Sequence, residues 1–369
     1  MKKTITTLLL IVLCLLPSTG QTKWKFAYNA QFSQLFHNRE FGYSLDTIAI
    51  SGTLNRVRLT PLVGIDAVTE KNRHSFRVGY DFEYDTGTKD IRSVPKEPIL
   101  YYDLKVNTGK GILGVTAGLF PRSYSKVDYT TAIFSHETTL ADHVFEGLLL
   151  NYSTDSFYAE LMCDWMEDYG NNNRERFQIV TGGHKDLTSW LNLGWQGSFF
   201  HYANYIIVPG TTGKPGVADN HILYPYAEIN LKLRNNQRLN VSAGPMLSYQ
   251  WQRCQQDTPT IAVGFESVQS YTAPAWSISN TIYVGPDLQT LWDHKDRNGD
   301  AYEANLYFGE PFYKGSYDCL KAEWTPRITD FLGIRLGARI YMTKDGFSGW
   351  TQTFTMCFNL ENLAKNKRV

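Results

Sequence analysis

The sequence predicts an all-β protein, a transmembrane antiparallel β-barrel of about sixteen strands, with fourteen as the alternative count. Three observations predict it. Stretches of roughly ten residues alternate between an apolar and a polar face with a period of two. The connections between them alternate between short turns and long polar loops. Aromatic residues gather at both ends of the stretches, where ring systems settle between oil and water. The pattern is sharpest in the last hairpin, 331–360. There Leu332, Ile334, Leu336, Ala338, Ile340 and Met342 alternate with Gly333, Arg335, Gly337, Arg339 and Tyr341. After the turn, Trp350, Phe354, Met356, Phe358 and Leu360 alternate with Thr351, Thr353, Thr355, Cys357 and Asn359.

Taken in order, the chain opens with Lys2 and Lys3, an apolar run from Leu8 to Leu16, and Pro17-Ser18-Thr19-Gly20. This is a secretory leader over 1–20, followed by a barrel over 21–360 and a polar tail over 361–369. No later run reaches the ~18 apolar residues that a membrane-spanning helix needs. The first strand carries Trp24, Phe26, Tyr28, Ala30, Phe32 and Phe36 on one face. The second carries Val57, Leu59, Val63, Ile65 and Ala67, and the third Phe76, Val78, Tyr80, Phe82 and Tyr84. Strands four and five flank the tight turn Thr108-Gly109-Lys110-Gly111.

Further strands are expected at Val144–Tyr152, Phe157–Trp165, Phe177–Gly183, Trp190–Tyr202, Ile222–Leu233, Leu239–Gln252, Trp276–Val284, Asp287–Trp292 and Tyr317–Pro326. Short turns are expected near Asp155, Asp186, Asn235, Gly285 and Asp330. Trp165, Trp251, Trp276, Trp292 and Trp350 are expected at the long-loop ends, and Phe76, Tyr152, Phe157, Trp324 and Phe358 at the short-turn ends.

Removal of Lys2 and Lys3 with the leader takes the 36 basic residues to 34, against 36 acidic ones. That balance argues against a nucleic-acid partner. Cys163, Cys254, Cys319 and Cys357 are far apart and show no metal spacing, so neither a disulfide framework nor a metal centre is indicated. Residues 292–300 resemble half of a calcium loop through Asp296, Asn298 and Asp300. The first ligand position would be His294, however, and no glutamate closes the site, so a solvated loop is the simpler reading. Gly210–Pro215 has the wrong spacing for a phosphate loop. No histidine is followed two residues later by serine, and Gly-x-Ser-x-Gly is absent. Six histidines, His37, His136, His143, His201, His221 and His294, fall near the long-loop ends, a compositional hint of hydrolase chemistry and no more. The chain is read as a non-enzyme without a cofactor.

If the polar face points inward, Arg56, Arg58, Arg77, Arg335 and Arg339 form a basic arc of lumen wall near the closure of the barrel, interrupted by Asp81 and Glu83. Glu146, Glu160 and Asp164 line the lumen further round. The loop 121–143 carries Asp128, Glu137 and Asp142 beside Arg122 and Lys126. The plainer alternative is that all of these are solvated charges in a wet interior.

At this point the chain resembles the outer-membrane porin-type barrels of Gram-negative bacteria, across nearly all of residues 21–360. Gly118-Leu119-Phe120-Pro121-Arg122, Phe134-Ser135 and Asp164-Trp165 resemble, more narrowly, uncharacterised porin-like barrels of Bacteroidota. The resemblance implies passive transport and a constriction loop folded into the barrel after the fifth strand, here 121–143. A basic wall facing an acidic loop would then set up a transverse field that sorts solutes by charge. The expected partners are outer-membrane lipids, small hydrophilic solutes, the barrel assembly machinery and a homotrimer of the chain. One departure is visible. Such barrels usually end on an aromatic residue, whereas Phe358 is followed by Asn359, Leu360 and the tail. A non-conducting barrel that binds partners at its surface is the alternative function.

Overall fold

The computed structural model describes residues 22–42, 49–87, 96–168, 174–203, 216–253, 256–296 and 299–361. The expected leader and the tail beyond Glu361 lie outside them, as does 210–215. Sixteen antiparallel strands close into one barrel, each beside its sequence neighbours. They are β1 (Lys23–Phe41), β2 (Gly52–Val68), β3 (Asn72–Asp85), β4 (Lys96–Asn107), β5 (Ile112–Pro121), β6 (Val144–Ser153), β7 (Phe157–Glu167) and β8 (Arg176–Asp186). The second half is β9 (Leu191–Ala203), β10 (Val217–Lys232), β11 (Arg238–Gln252), β12 (Thr260–Thr272), β13 (Trp276–Val284), β14 (Tyr317–Trp324), β15 (Leu332–Thr343) and β16 (Gly346–Asn359). β1 pairs with β16 from Gln31↔Asn359 to Phe41↔Gly349, so the sheet closes on itself without an edge strand.

The alternating pattern maps directly onto the wall. Trp24, Phe26, Leu59, Val63, Ile65, Phe76, Val78, Leu336 and Ile340 are exposed on the outside. Asp81, Glu83, Thr351, Thr353 and Tyr341 on the inward faces are buried. An apolar outside of this extent is costly in water and satisfied in lipid, while the closed ladder meets the backbone's hydrogen-bonding needs. Short connections at 69–71, 108–111, 154–156, 187–190, 233–237, 273–275 and 325–331 share one rim with the start of β1 and the end of β16. Asn235 and Asn236 hold φ of 57° and 59° in one of these turns, a conformation asparagine tolerates better than most residues. The opposite rim carries the long loops, with a tight turn at 344–345.

The strand count agrees with the sequence, but two assignments differ and compensate. Asp287–Trp292 is not a strand; it begins the long loop 285–316. Thr260–Thr272, which the sequence pattern leaves as loop, is a strand. Its outward face runs Ile261, Val263 and Phe265, then turns polar at Ser267 and Gln269, which hides the alternation. The short turn therefore lies at 273–275 rather than at Gly285. Trp276 moves to the short-turn rim, opposite Trp324. Trp292 is buried in the inward loop beside Tyr307.

Two loops of the long-loop rim fold into the lumen. Residues 122–143 contain a 3-10 turn, Arg122–Tyr124, and helix α1, His136–Ala141, capped by Ser135 Oγ accepting from the Thr138 N–H at 2.9 Å. Residues 285–316 contain the short helix α2, Glu303–Leu306, and the 3-10 turn Pro311–Lys314. Ala132, Ile133 and Phe134 from the first loop and Leu288, Phe312 and Tyr313 from the second join inward wall residues Phe120, Phe145, Leu149, Met162 and Val180 in one buried cluster. The barrel thus has an apolar core inside its long-loop half.

Candidate functional site

The site is the remaining lumen, and the two inward loops define it. Loop 122–143 crosses the barrel. Glu160 on β7 holds its start, accepting from Ser125 Oγ (2.5 Å), the Lys126 N–H (3.0 Å), Tyr129 OH (3.0 Å) and Tyr158 OH (2.5 Å). Gln196 on β9 accepts from the Thr130 N–H at 2.5 Å and donates to the Asp128 carbonyl at 3.0 Å. Glu266 on β12, with no exposed surface, accepts from Thr130 Oγ1 at 2.9 Å and from the hydroxyl of Tyr313 on the other loop. At the far side Glu137 of α1 meets His37 at 2.7 Å and Arg39 at 3.0 Å, both on β1.

The two loops are joined by their backbones. Ser135 N–H donates to the Phe308 carbonyl at 2.6 Å, and Glu310 N–H to the Thr131 carbonyl at 2.7 Å. Thr138 Oγ1 also donates to Phe308 O at 2.9 Å, and His136 N–H to Glu310 Oε1 at 3.1 Å. The second loop is held to the wall by Gln250, whose Oε1 accepts from Tyr307 OH (2.5 Å) and Thr290 Oγ1 (3.1 Å). Asn220 donates to the Leu306 carbonyl at 3.1 Å. The joined loops form a partition across the long-loop half of the lumen.

Below this partition lies a cavity of about 920 Å³. Its wall comes mainly from the short-turn halves of β7 to β15, with His184, Asn192, Asn240, Ser270, Ser279, Glu323 and Arg335 among the lining residues, and it reaches Tyr317 and Tyr341 toward the long-loop rim. Thr130, Phe134, His136 and Leu140 of the first loop form its roof.

The residues singled out from the sequence separate into four groups. Arg56, Arg58 and Arg77 do not make a basic arc. Arg56 pairs with Glu83 (2.6 Å) and Asp85 (2.5 Å), Arg58 with Asp81 (2.6 Å), and Arg77 with Asp66 (2.6 Å). The register explains it, because Arg56 lies opposite Asp85 and Arg58 opposite Glu83 on adjacent strands. Glu160 and Glu137 are loop anchors, and Asp164 and Asp142 both face Arg122. Glu146 points outward, a correction. It pairs in register with outward Leu119, while its neighbour Phe145 lies in the buried cluster with Phe120. Its polarity suggests an inward position, but the lumen is dry there, so polar no longer means inside. Arg335, Arg339 and Asp128 line the cavity as expected of lumen charges.

Glu266, Gln196, Lys321, Glu323 and Glu310 also belong to the site and are not singled out by the sequence pattern. Glu266 sits in the strand whose alternation is hidden. Lys321 and Glu323 are legible as the polar partners of Leu320, Ala322 and Trp324. The six histidines do not converge. His37 and His136 meet edge to face at 5.3 Å inside the lumen, whereas His201 stacks on Phe177 and His221 on Tyr249 on the outward face. In the calcium-like loop, Arg297 and Asn298 lie outside the described residues. Arg174 reaches Asp296 at 2.8 Å and Asp300 at 2.5 Å, so an arginine supplies the positive charge there.

The loop junction is sensitive to protonation. Burial pushes the Glu310 carboxyl up from 4.5 to about 7. Burial, with Arg339 and His37 nearby, holds the His136 ring well below its usual 6.5. A carboxyl raised on folding stabilises the junction fully below 4.5 and loses that contribution as pH rises through about 7. His136 acts in the opposite sense, its contribution being lost as pH falls below 6.5. Because the two trends oppose each other in the wild type, conductance fluctuations from an opening junction are expected to fall more steeply from pH of about 5 to about 7 in Glu310→Gln, where only the His136 trend remains, than in the wild type. Single-channel recording across that range checks it.

No family model matches the chain, and no curated protein matches it. Solved structures similar to it are outer-membrane proteins. A loop L8 deletion mutant of OmpT, an outer membrane protein of Vibrio cholerae, is 12% identical with a TM-score of 0.49, covering 91% of this chain and 99% of that one. Salmonella typhi OmpF in complex with daunomycin is 10% identical with a TM-score of 0.48, covering 91% and 98%. Pseudomonas putida OprB is 9% identical with a TM-score of 0.48, covering 91% and 94%.

Proposed function

We infer that this chain is a porin-like barrel of the outer membrane that passes small hydrophilic solutes by passive diffusion. The observation that carries the reading is the combination of an apolar outside with a polar cavity of about 920 Å³ inside one closed barrel. Such a wall offers lipid an apolar surface and water a polar one. The leader expected over 1–20 and the resemblance to porin-type barrels, including those of Bacteroidota, support it. Lipids cover the outer band, the barrel assembly machinery inserts the chain, and association as a homotrimer belongs to the same reading. No covalent step is assigned to any residue.

The partition makes this a narrow conduit rather than a wide pore. In planar bilayers the purified protein is expected to give stepwise conductance of small unitary size. Folded, inserted protein that gives no steps contradicts the reading. That result would favour a closed barrel acting through its surface, a reading to which the dry cluster between the two loops lends its own support.

A further inference from the structure

We propose that Arg335, Arg339 and Lys321 form a binding site for small organic oxyanions, solutes carrying a carboxylate or phosphate group, on the β14–β15 wall of the cavity. The proposal names a solute class for the conduit inferred above and in that sense rests on it. The first argument is a contrast among the inward arginines. Arg39, Arg56, Arg58, Arg77 and Arg122 each have a carboxylate at ion-pair distance. Among the described residues, neither Arg335 nor Arg339 has one, although both line the cavity.

The second argument is register. Lys321 and Arg339 are direct cross-strand partners on the inward face. Like charges directly opposite each other destabilise a sheet. Glu323 relieves only part of this, pairing with Lys321 at 2.8 Å. Three cations thus face one carboxylate. Among the described residues, no other carboxylate of the cavity lies at ion-pair distance from these three cations, although Glu310 is near enough to feel Arg339. Glu228 on β10 accepts from Asn192 and Asn230, Glu266 from Thr130 and Tyr313, and Glu310 from His136. Asp128 lies on the loop, next to Tyr129 that is bonded to Glu160 on β7.

Third, the wall leaves room for a ligand. Gly333 and Gly337 flank Arg335 on the same inward face; a Cβ at Gly333 would meet nothing within 4 Å, and one at Gly337 would meet only Glu323 and the Ala322 carbonyl, at 3.6 Å or more. Arg335 and Arg339 are separated by about 13 Å of strand, a span their side chains can close around a small solute. Guanidinium forks match the planar pair of oxygens of a carboxylate or two oxygens of a phosphate. The cavity is also of the size that takes small ligands. The same cations are felt at His136 in the roof, whose ring they help to keep neutral.

The test is isothermal titration of the refolded full chain in detergent with succinate, with glycerol 3-phosphate and with glucose. Both anions are expected to bind and glucose is not. Arg335→Gln with Arg339→Gln should weaken anion binding by about tenfold or more, whereas Arg327→Gln on the short-turn rim should leave it unchanged. Arg335→Lys with Arg339→Lys, which keeps charge and loses the forks, should fall between. Retained heat-resistant mobility on a gel shows that each variant is folded. Binding of one anion alone narrows the class to that head group and supports the site. Equal binding by wild type and the double glutamine variant overturns it, as does glucose binding as strongly as the anions. Because the readout is equilibrium binding, a barrel that binds the anions and gives no bilayer conductance refutes the conduit and leaves the site standing.

Discussion

Replacing Gly309 with alanine raises the unitary conductance several-fold and destabilises the barrel by roughly 1–3 kcal/mol, the usual cost of forcing an extra methyl group into a packed site. A Cβ at Gly309 would lie 2.1 Å from the Ala132 carbonyl oxygen and 2.6 Å from its carbon, so the obstacle is backbone. Neither loop yields without breaking the pair of hydrogen bonds that joins them, Ser135 to Phe308 and Glu310 to Thr131. Gly315, in the same loop, is the matched control. Its φ of 178° is extended backbone, and a Cβ there would meet nothing within 4 Å. Gly315→Ala should leave both conductance and stability at wild-type values. Urea unfolding in detergent and single-channel recording read the two effects separately. A Gly309→Ala variant indistinguishable from Gly315→Ala would mean that the loops are not joined across the lumen.

Glu266→Ala should cost more. The side chain is fully buried on β12 and accepts from both inward loops, through Thr130 Oγ1 and Tyr313 OH. Removing it takes the carboxylate acceptor from two buried hydroxyls, leaving them, among the described residues, only each other and Thr131 Oγ1 as acceptors, and each lost bond to the charged group costs about 1–3 kcal/mol. Truncating Glu228, which accepts from the side-chain amides of Asn192 and Asn230 in the open cavity, should cost about 1 kcal/mol or less. The comparison is made by urea midpoint at constant slope. Equal losses at the two positions would show that Glu266 does not bear on the loops.

These residues also show what the sequence can and cannot disclose. The barrel is legible because lipid outside and polar surface inside write a period of two into nearly every strand. The outward row of β3, Phe76, Val78, Tyr80, Phe82 and Tyr84, is the plainest example. The pattern fails where one of those two conditions fails. On β12 the outward face turns polar at Ser267 and Gln269, so the strand is hidden. On β6 the lumen is dry, so Leu149 points in and Glu146 points out.

The site is less legible than the wall for a different reason. Parity says which face a charge is on, and on β2, β3 and β15 it does so. It does not say what that charge meets. Arg58 and Arg339 look alike in sequence, each an arginine on the polar face of a strand near the closure. Arg58 is neutralised by Asp81 at 2.6 Å, while Arg339 faces Lys321 across the ladder. The difference is set by register with the neighbouring strand, which depends on loop lengths and the closure of the whole sheet. Likewise, Glu137 is one of several acidic loop residues in the sequence. Only the path of the loop across the lumen brings it to His37 and Arg39.

We infer that the lumen is a vestibule entered from the short-turn rim, because the joined loops partition its long-loop half. Sided thiol labelling tests it most directly. Ser279 on β13 lines the vestibule. Ser279→Cys would be placed in a background with Cys163, Cys254, Cys319 and Cys357 replaced by serine, and the protein inserted in one orientation. A polymer-linked maleimide is then added to one side at a time. The account predicts modification from the short-turn side and protection from the long-loop side. Modification at equal rates from both sides would contradict it.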